Sequence, residues 1–385
     1  MLSIPKNKNI FIFGPRQTGK STLINKIFSE KESHFYNLLE VDTYNKLLAN
    51  PQIFRHEVEA ICVTENKKNI IVDEVQKIPQ ILDEVHNLIE KKLPCNFILS
   101  GSSSRKLKRF QANMLAGRAW SFHLFPFVYK EIKKKFSLDD VLRFGSLPSV
   151  NILKTNNEKQ EVLRSYVNTY IKEEIEMEAN IRNLGSFLRF LPIAAAENGE
   201  ILNYSNVARE AGIKSPTVKE YYKILEDTLI GFFLLPYNRS VRKRLVRHPK
   251  FYFFDLGVVS ALNKKLKTPL LESSYEYGKA FEHFFICEIF RLNEYLRLDL
   301  DISFYRTERG AEVDLVLQTP KGETIAVEIK STKNPVRKHC SGLYSFKKVV
   351  PEAKLFLISR ASNSMKFDDV LVLPWEKSWE YILDL

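Results

Sequence analysis

Five short apolar runs punctuate the first 125 residues: NIFIF (9–13), HFYNLL (34–39), NIIVD (69–73), NFILS (96–100) and AWSFHLF (119–125). In NIIVD, Ile70, Ile71 and Val72 run without a polar break, as a parallel strand buried on both faces requires, and the segments between the five runs carry helical spacing. The pattern predicts an α/β fold with an open, mainly parallel sheet and helices on both of its faces. VLRFGSLPSV (141–150), with Gly145 and Pro148, closes that region. Just before it, the lysine-rich YKEIKKKF (129–136) reads as a solvated helix face, and after it SYVNTYIKEEIEMEANI (165–181) reads as a long connecting helix.

Periodicity changes again from Ile201 to Phe254. YSNVAREAG and TVKEYYKILEDTLI predict two short helices, with Gly212 ending the first, Ser215 as the second helix's N-cap and Pro216 as its first helical residue. Two aromatic strands follow, GFFLLPYN and KFYFFD, flanking RSVRKRLVRHP. A helix-turn-helix and a hairpin with a basic tip make a winged helix. Its second helix, carrying Lys214, Thr217 and Lys219 near its start, is the one shaped to enter a major groove. Arg239, Arg242, Lys243, Arg244 and Arg247 have no acidic residue between them, a pattern suited to neutralising DNA phosphates. The other reading packs this module on its neighbour and leaves the basic loop to water.

Near the C-terminus, RTERGAEVDLVLQTPKGETIAVEIKST (306–332) predicts two antiparallel strands around a Pro-Lys-Gly turn. Strict alternation sets Val313, Leu315 and Leu317 on one face and Asp314 on the other, with Ile325, Val327 and Ile329 opposed to Glu328 and Lys330. Pairing then brings Asp314 to Glu328 and Lys330 on a shared face. In the preceding helix, YEYGKAFEHFFICEIFRLNEYL, Glu282 lies on the apolar stripe of Phe285, Ile286, Ile289 and Phe290. A carboxylate buried there needs a cation or a metal beside it. Glu288, off that stripe, is expected to need no partner.

Composition adds bounds. At 44% hydrophobic and 27% charged, 385 residues describe a globular chain of two or three domains, divided here as 1–150, 151–265 and 266–385. The absence of a spanning apolar stretch and of a leader before the first strand predicts a cytoplasmic protein without a membrane partner. Four cysteines without a CxxC pair predict neither a zinc cluster nor a disulfide framework. A net charge of +12 favours a polyanionic partner.

The most specific chemistry is GPRQTGKST, Gly14, Pro15, Arg16, Gln17, Thr18, Gly19, Lys20, Ser21 and Thr22, set between a strand and a helix. This is the spacing of a phosphate loop: glycines let the backbone amides turn inward, Lys20 reaches the terminal phosphates, and Ser21 is a Mg2+ ligand. NIIVDEVQ supplies Asp73 for the metal and Glu74 as general base. Ser100 ends the next strand, either as a sensor of the terminal phosphate or as a plain turn residue.

GPRQTGKST, IIVDEVQ with KIPQILDEV, LSGSS and LAGRAWSFHLFPF resemble the AAA+ ATPases, and within them a prokaryotic group usually described only as ATP-binding. In that group the AAA+ domain precedes a winged helix and a nuclease-like, restriction-endonuclease-like α/β domain. The resemblance implies ATP and Mg2+ as cofactors and an arginine acting on the nucleotide, for which Arg118 stands, either so or as a structural ion-pair partner. It is compatible with a homo-oligomer or with a monomeric switch. Glu282, Asp314 and Glu328-x-Lys330 are similar to the PD-(D/E)XK nucleases. That resemblance implies Mg2+ or Mn2+ on Asp314, Glu328 and Glu282, with Lys330 orienting the attacking water. Expected from the whole is a DNA-binding ATPase whose third domain either cuts DNA under nucleotide control or only grips it.

Overall fold

The computed structural model describes residues 2–65, 67–102, 115–171, 184–238 and 248–383. Five parallel strands, β1 (Ile10–Phe13), β2 (Ser33–Asn37), β3 (Asn69–Asp73), β4 (Asn96–Gly101) and β5 (Trp120–His123), form a sheet in the order β2-β3-β4-β1-β5. Alternate side chains serve two cores. Ile10, Ile12, Ile71 and Ile98 pack into one, and Phe11, Phe13, Ile70, Val72, Phe97 and Leu99 into the other. Burial on both faces accounts for the unbroken apolar runs of the central strands β1, β3 and β4.

A second sheet holds the remaining strands: β6 (Gly231–Pro236), β7 (Lys250–Phe253), β8 (Asp301–Arg306), β9 (Glu312–Gln318), β10 (Thr324–Ile329), β11 (Lys354–Ser359), β12 (Met365–Phe367) and β13 (Val370–Pro374). Their order is β12-β13-β11-β10-β9-β8-β6-β7. The β6–β7 hairpin therefore extends the C-terminal sheet, through the parallel pairs Leu235–Ser303 and Pro236–Phe304. Ahead of it, helices Tyr204–Ala211 and Ser215–Asp227 meet at Gly212, whose φ of 65° explains the glycine. The N-cap of the second is Lys214, one residue earlier than expected, so Ser215 is already helical and its side chain caps nothing. Of the expected connecting helix, Tyr166–Ile171 is a π-helical turn, and 172–183 lie outside the described residues.

Helix Tyr275–Leu296 is buried on more than one face. Phe285 and Ile289 pack with Leu315, Ile325 and Val327 of the second sheet. On other sides Tyr295 Oη bonds to the backbone of Phe125, and Arg291 donates to the Phe127 and Phe254 carbonyls and to Ser146 Oγ. This overturns the expectation for Glu288. It is 2% exposed, accepts from the Tyr129 amide at 2.8 Å and pairs with Arg291. A single apolar stripe gives a helix one buried face, whereas a helix clasped between segments has several. Among the described residues no helix is long and apolar enough to cross a membrane.

Candidate functional site

The glycines of the loop after β1 are there for close approach and for turning. A Cβ on Gly14 would stand 2.1 Å from the Leu124 carbonyl oxygen, and Gly19 has φ 90°. Gln17 adopts φ 63°, left-handed backbone that a non-glycine residue holds only when its surroundings impose it. Thr18 Oγ1 donates to the Pro15 carbonyl at 2.9 Å, while Lys20 Nζ donates to the Gly14 and Pro15 carbonyls at 2.8 and 3.2 Å. Helix Lys20–Ile27 starts without a side-chain cap, so its first amides face the loop with the positive end of the helix dipole. Two contacts come from a segment to which the sequence reading gave no role: Ser149 Oγ donates to Gln17 Oε1 at 2.7 Å, and Tyr166 Oη to the Arg16 carbonyl at 3.2 Å.

Asp73 ends β3 beside this loop. Ser21 Oγ donates to its Oδ2 at 2.7 Å, and Ser100 Oγ donates to its Oδ1. One hydroxyl and one carboxylate thus meet beside the loop lysine, a hard-oxygen pair that fits Mg2+. Thr22 follows Ser21 on an exposed part of the helix. Glu74 takes φ 61°, its amide donating to Asp73 Oδ1 at 3.1 Å and its Oε2 accepting from Gln76 Nε2 at 2.6 Å. Gln76 had only its place in IIVDEVQ to mark it.

Arg118 does not join this group within its own chain. Trp120 pairs with Ile10 at the start of β1, whereas the loop leaves from β1's other end. The Arg118 carbonyl accepts from Asn9 Nδ2 at 3.3 Å, and its guanidinium pairs with Glu90. Arg118 therefore sits across the sheet from the loop, the whole of the four-residue β1 away, about 13 Å.

The second cluster surrounds the end of β10. Register pairs Val327 with Leu315, so Glu328 comes opposite Asp314. Lys330 Nζ lies 2.6 Å from Glu328 Oε1 and 3.5 Å from Asp314 Oδ2, and the Ile329 amide donates to Asp314 Oδ2 at 2.8 Å. Alternation along β9 is not strict: a bulge against β8, between Ser303 and Tyr305, turns Val313 into the core of Val316 and Ala326, away from Leu315 and Leu317.

Glu282 arrives from the helix on the Leu315–Val327 face, while Glu328 stands on the Ala326 face near Gly342. Glu282 is only partly buried, its side chain 13% exposed, and the cation beside it is Lys250. Its ammonium, on a side chain 3% exposed, is 3.4 Å from Glu282 and 2.7 Å from Glu312. Tyr252 Oη donates to Glu282 at 2.8 Å, and Lys279 lies 4.0 Å away. Burial alone would raise Glu282, but Lys250 and Lys279 more than offset it and hold its carboxyl below the ordinary range. Burial and Glu282 push Asp314 up, and burial and Asp314 push Glu328 up.

Glu328 Oε2 is buried without a hydrogen-bond partner. Asp314 and Glu328 thus fit a hard divalent cation, and Glu282, committed to Lys250 and Tyr252, does not. Among the described residues no group of three or more His, Cys, Asp or Glu side chains is placed to hold a metal ion. Lys250 and Lys279 were missed. Their signals were a lone lysine opening an aromatic strand and a lysine one helical turn before Glu282.

At the helix-turn-helix, Lys214 and Lys219 are exposed, Thr217 is half-buried, and the Lys219 ammonium stands over the Tyr204 ring at 5.3 Å. Arg239, Arg242, Lys243, Arg244 and Arg247 lie outside the described residues.

Three family models match parts of the chain. Residues 6–133 match the AAA domain, residues 135–269 a domain of unknown function (DUF8612), and residues 277–377 another (DUF4143). Uncharacterized proteins of Mycobacterium bovis and Mycobacterium tuberculosis are each 24% identical over 328 residues, 85% of this chain and 71% of theirs. An uncharacterized protein of Methanocaldococcus jannaschii is 24% identical over 275 residues, 65% of this chain and 61% of its own. Among solved structures, the replication initiator DnaA bound to AMPPCP and single-stranded DNA is 14% identical, covering 57% of this chain and 82% of its own, at a TM-score of 0.30. A likeness that slight carries no argument for this chain.

Proposed function

We propose that this chain, whose N-terminal third is a nucleotide-binding ATPase module of the AAA type, is a Mg2+-dependent ATP hydrolase that engages DNA. The observation carrying the reading is the 2.7 Å contact between Ser21 Oγ and Asp73 Oδ2 beside Lys20. The loop amides from Arg16 to Thr22 orient the phosphates, Lys20 balances their charge, and Ser21 and Asp73 would hold the metal. In that place Mg2+ would supply charge stabilisation for the phosphoryl oxygens. Glu74 accepts the proton of the attacking water, and Ser100 fixes the Asp73 carboxylate. Arg118 is available only to the site of a second copy.

Lys214, Thr217 and Lys219, together with the basic stretch 239–247, support DNA as the partner, each phosphate neutralised adding about 0.9 to the salt slope of binding. Titration of a fluorescent ATP analogue tests the site. Mg2+ is expected to tighten binding to the wild type and not to Ser21→Ala or Asp73→Ala. An enhancement of equal size in all three would refute it.

A second reading adds metal-dependent DNA cleavage at Asp314 and Glu328, with Lys330 orienting water. It is favoured by the unpartnered Glu328 Oε2. In that reading Asp314→Asn loses cleavage and keeps DNA binding.

A further inference from the structure

We propose that Gln76 is a positioning residue of the ATPase centre, tying the Glu74 carboxylate to the end of β4. The proposal rests on the ATPase reading above. Gln76 lies in the 3₁₀ turn Val75–Lys77 and is 1% exposed. Its amide nitrogen donates to Glu74 Oε2 at 2.6 Å and to Ser102 Oγ at 3.0 Å. The amide oxygen is buried without a hydrogen-bond partner. The opposite orientation would set that oxygen against a carboxylate, so the nitrogen's two bonds decide how the amide lies. An unpaired buried oxygen is unfavourable, and here it accompanies a hold on the proposed base.

The oxygen faces Gly101, where a Cβ would stand 2.4 Å from it. Glycine at 101 is therefore what leaves room for Gln76 to reach Glu74. Glu74 is gripped at both ends, by its left-handed backbone and by the Gln76 amide at its carboxylate. The end of β4 consequently touches both acidic residues, Asp73 through Ser100 and Glu74 through Ser102 and Gln76. Nothing in this network binds phosphate directly, so Gln76 acts on turnover and not on affinity.

Steady-state hydrolysis and binding of a nonhydrolysable ATP analogue test this in Gln76→Ala, Gly101→Ala and the double variant. Gln76→Ala is expected to lower kcat on the order of 10- to 100-fold, with KM and Kd for nucleotide little changed. Gly101→Ala drives a methyl into the Gln76 oxygen and lowers kcat as well, yet adds nothing in the Gln76→Ala background. If Gln76→Ala melts near the assay temperature, Gln76→Met keeps the volume and carries the same expectation. Additive losses, losses shared by Kd, or unchanged kcat in Gln76→Ala where Glu74→Gln abolishes turnover overturn the proposal. A wild type without turnover, or Glu74→Gln as active as wild type, overturns the ATPase reading beneath it instead.

Discussion

Burial raises the Glu288 carboxyl to about 7, with Arg291 and the Tyr129 amide pulling the other way. From its ordinary value of 4.5 up to about 7, the folded chain keeps a proton that the unfolded chain has released. Stability contributed by this group is full at low pH and is lost as pH rises through that window, by on the order of 3 kcal/mol. Urea midpoints measured across the window should fall more steeply for wild type than for Glu288→Gln, and parallel curves would remove Glu288 as the cause. What made Glu288 hard to read in sequence was the number of neighbours, since one helix stripe describes packing on one side only. Lys20, Ser21 and Asp73 were readable because strand, loop and helix fix their spacing within short segments of chain. Arg118 allows two roles in sequence, and its ion pair with Glu90 is the structural one; because β5 runs parallel to β1, a residue just before β5 lies at the edge opposite the loop.

At the level of elements, the β6–β7 hairpin joins two regions that the sequence separates at residue 265. The aromatic strands were legible, but β8 pairs with β6 across 68 residues, Leu235 with Ser303, and no local pattern announces a parallel pair at that separation. The consequence centres on Lys250, the first residue of β7, whose ammonium holds Glu282 and Glu312 and stands over the Phe304 ring at 5.3 Å. Lys250→Met leaves a partly buried carboxylate without its main cation and should cost about 3–5 kcal/mol. Adding Glu282→Gln should recover much of that loss, since a neutral amide needs no counter-charge. Equal urea midpoints for the single and double variants would show that the pair carries no such coupling. The β9 bulge is a further element-level feature outside the reach of alternation, and it sets Val313 on the face opposite to the one that period two predicts.

For the whole molecule, the AAA-type sheet, the hairpin and the C-terminal sheet share helix Tyr275–Leu296 and one apolar core that contains Ile12, Phe232 and Val327 alike. Arg291 is the polar counterpart of that sharing, with its bonds to Phe127, Ser146 and Phe254. A nucleotide-driven change at the loop after β1 therefore has packed neighbours, Ser149 and Tyr166, through which to bias the rest. The ATPase assignment is the premise on which the other readings stand. Its most direct test is single-turnover hydrolysis of Mg-ATP by wild type and Glu74→Gln, with nucleotide binding measured in parallel. Both are expected to bind ATP, and only the wild type to release phosphate at an appreciable rate. Equal phosphate release by the two proteins, or no ATP binding by either, would contradict the ATPase assignment.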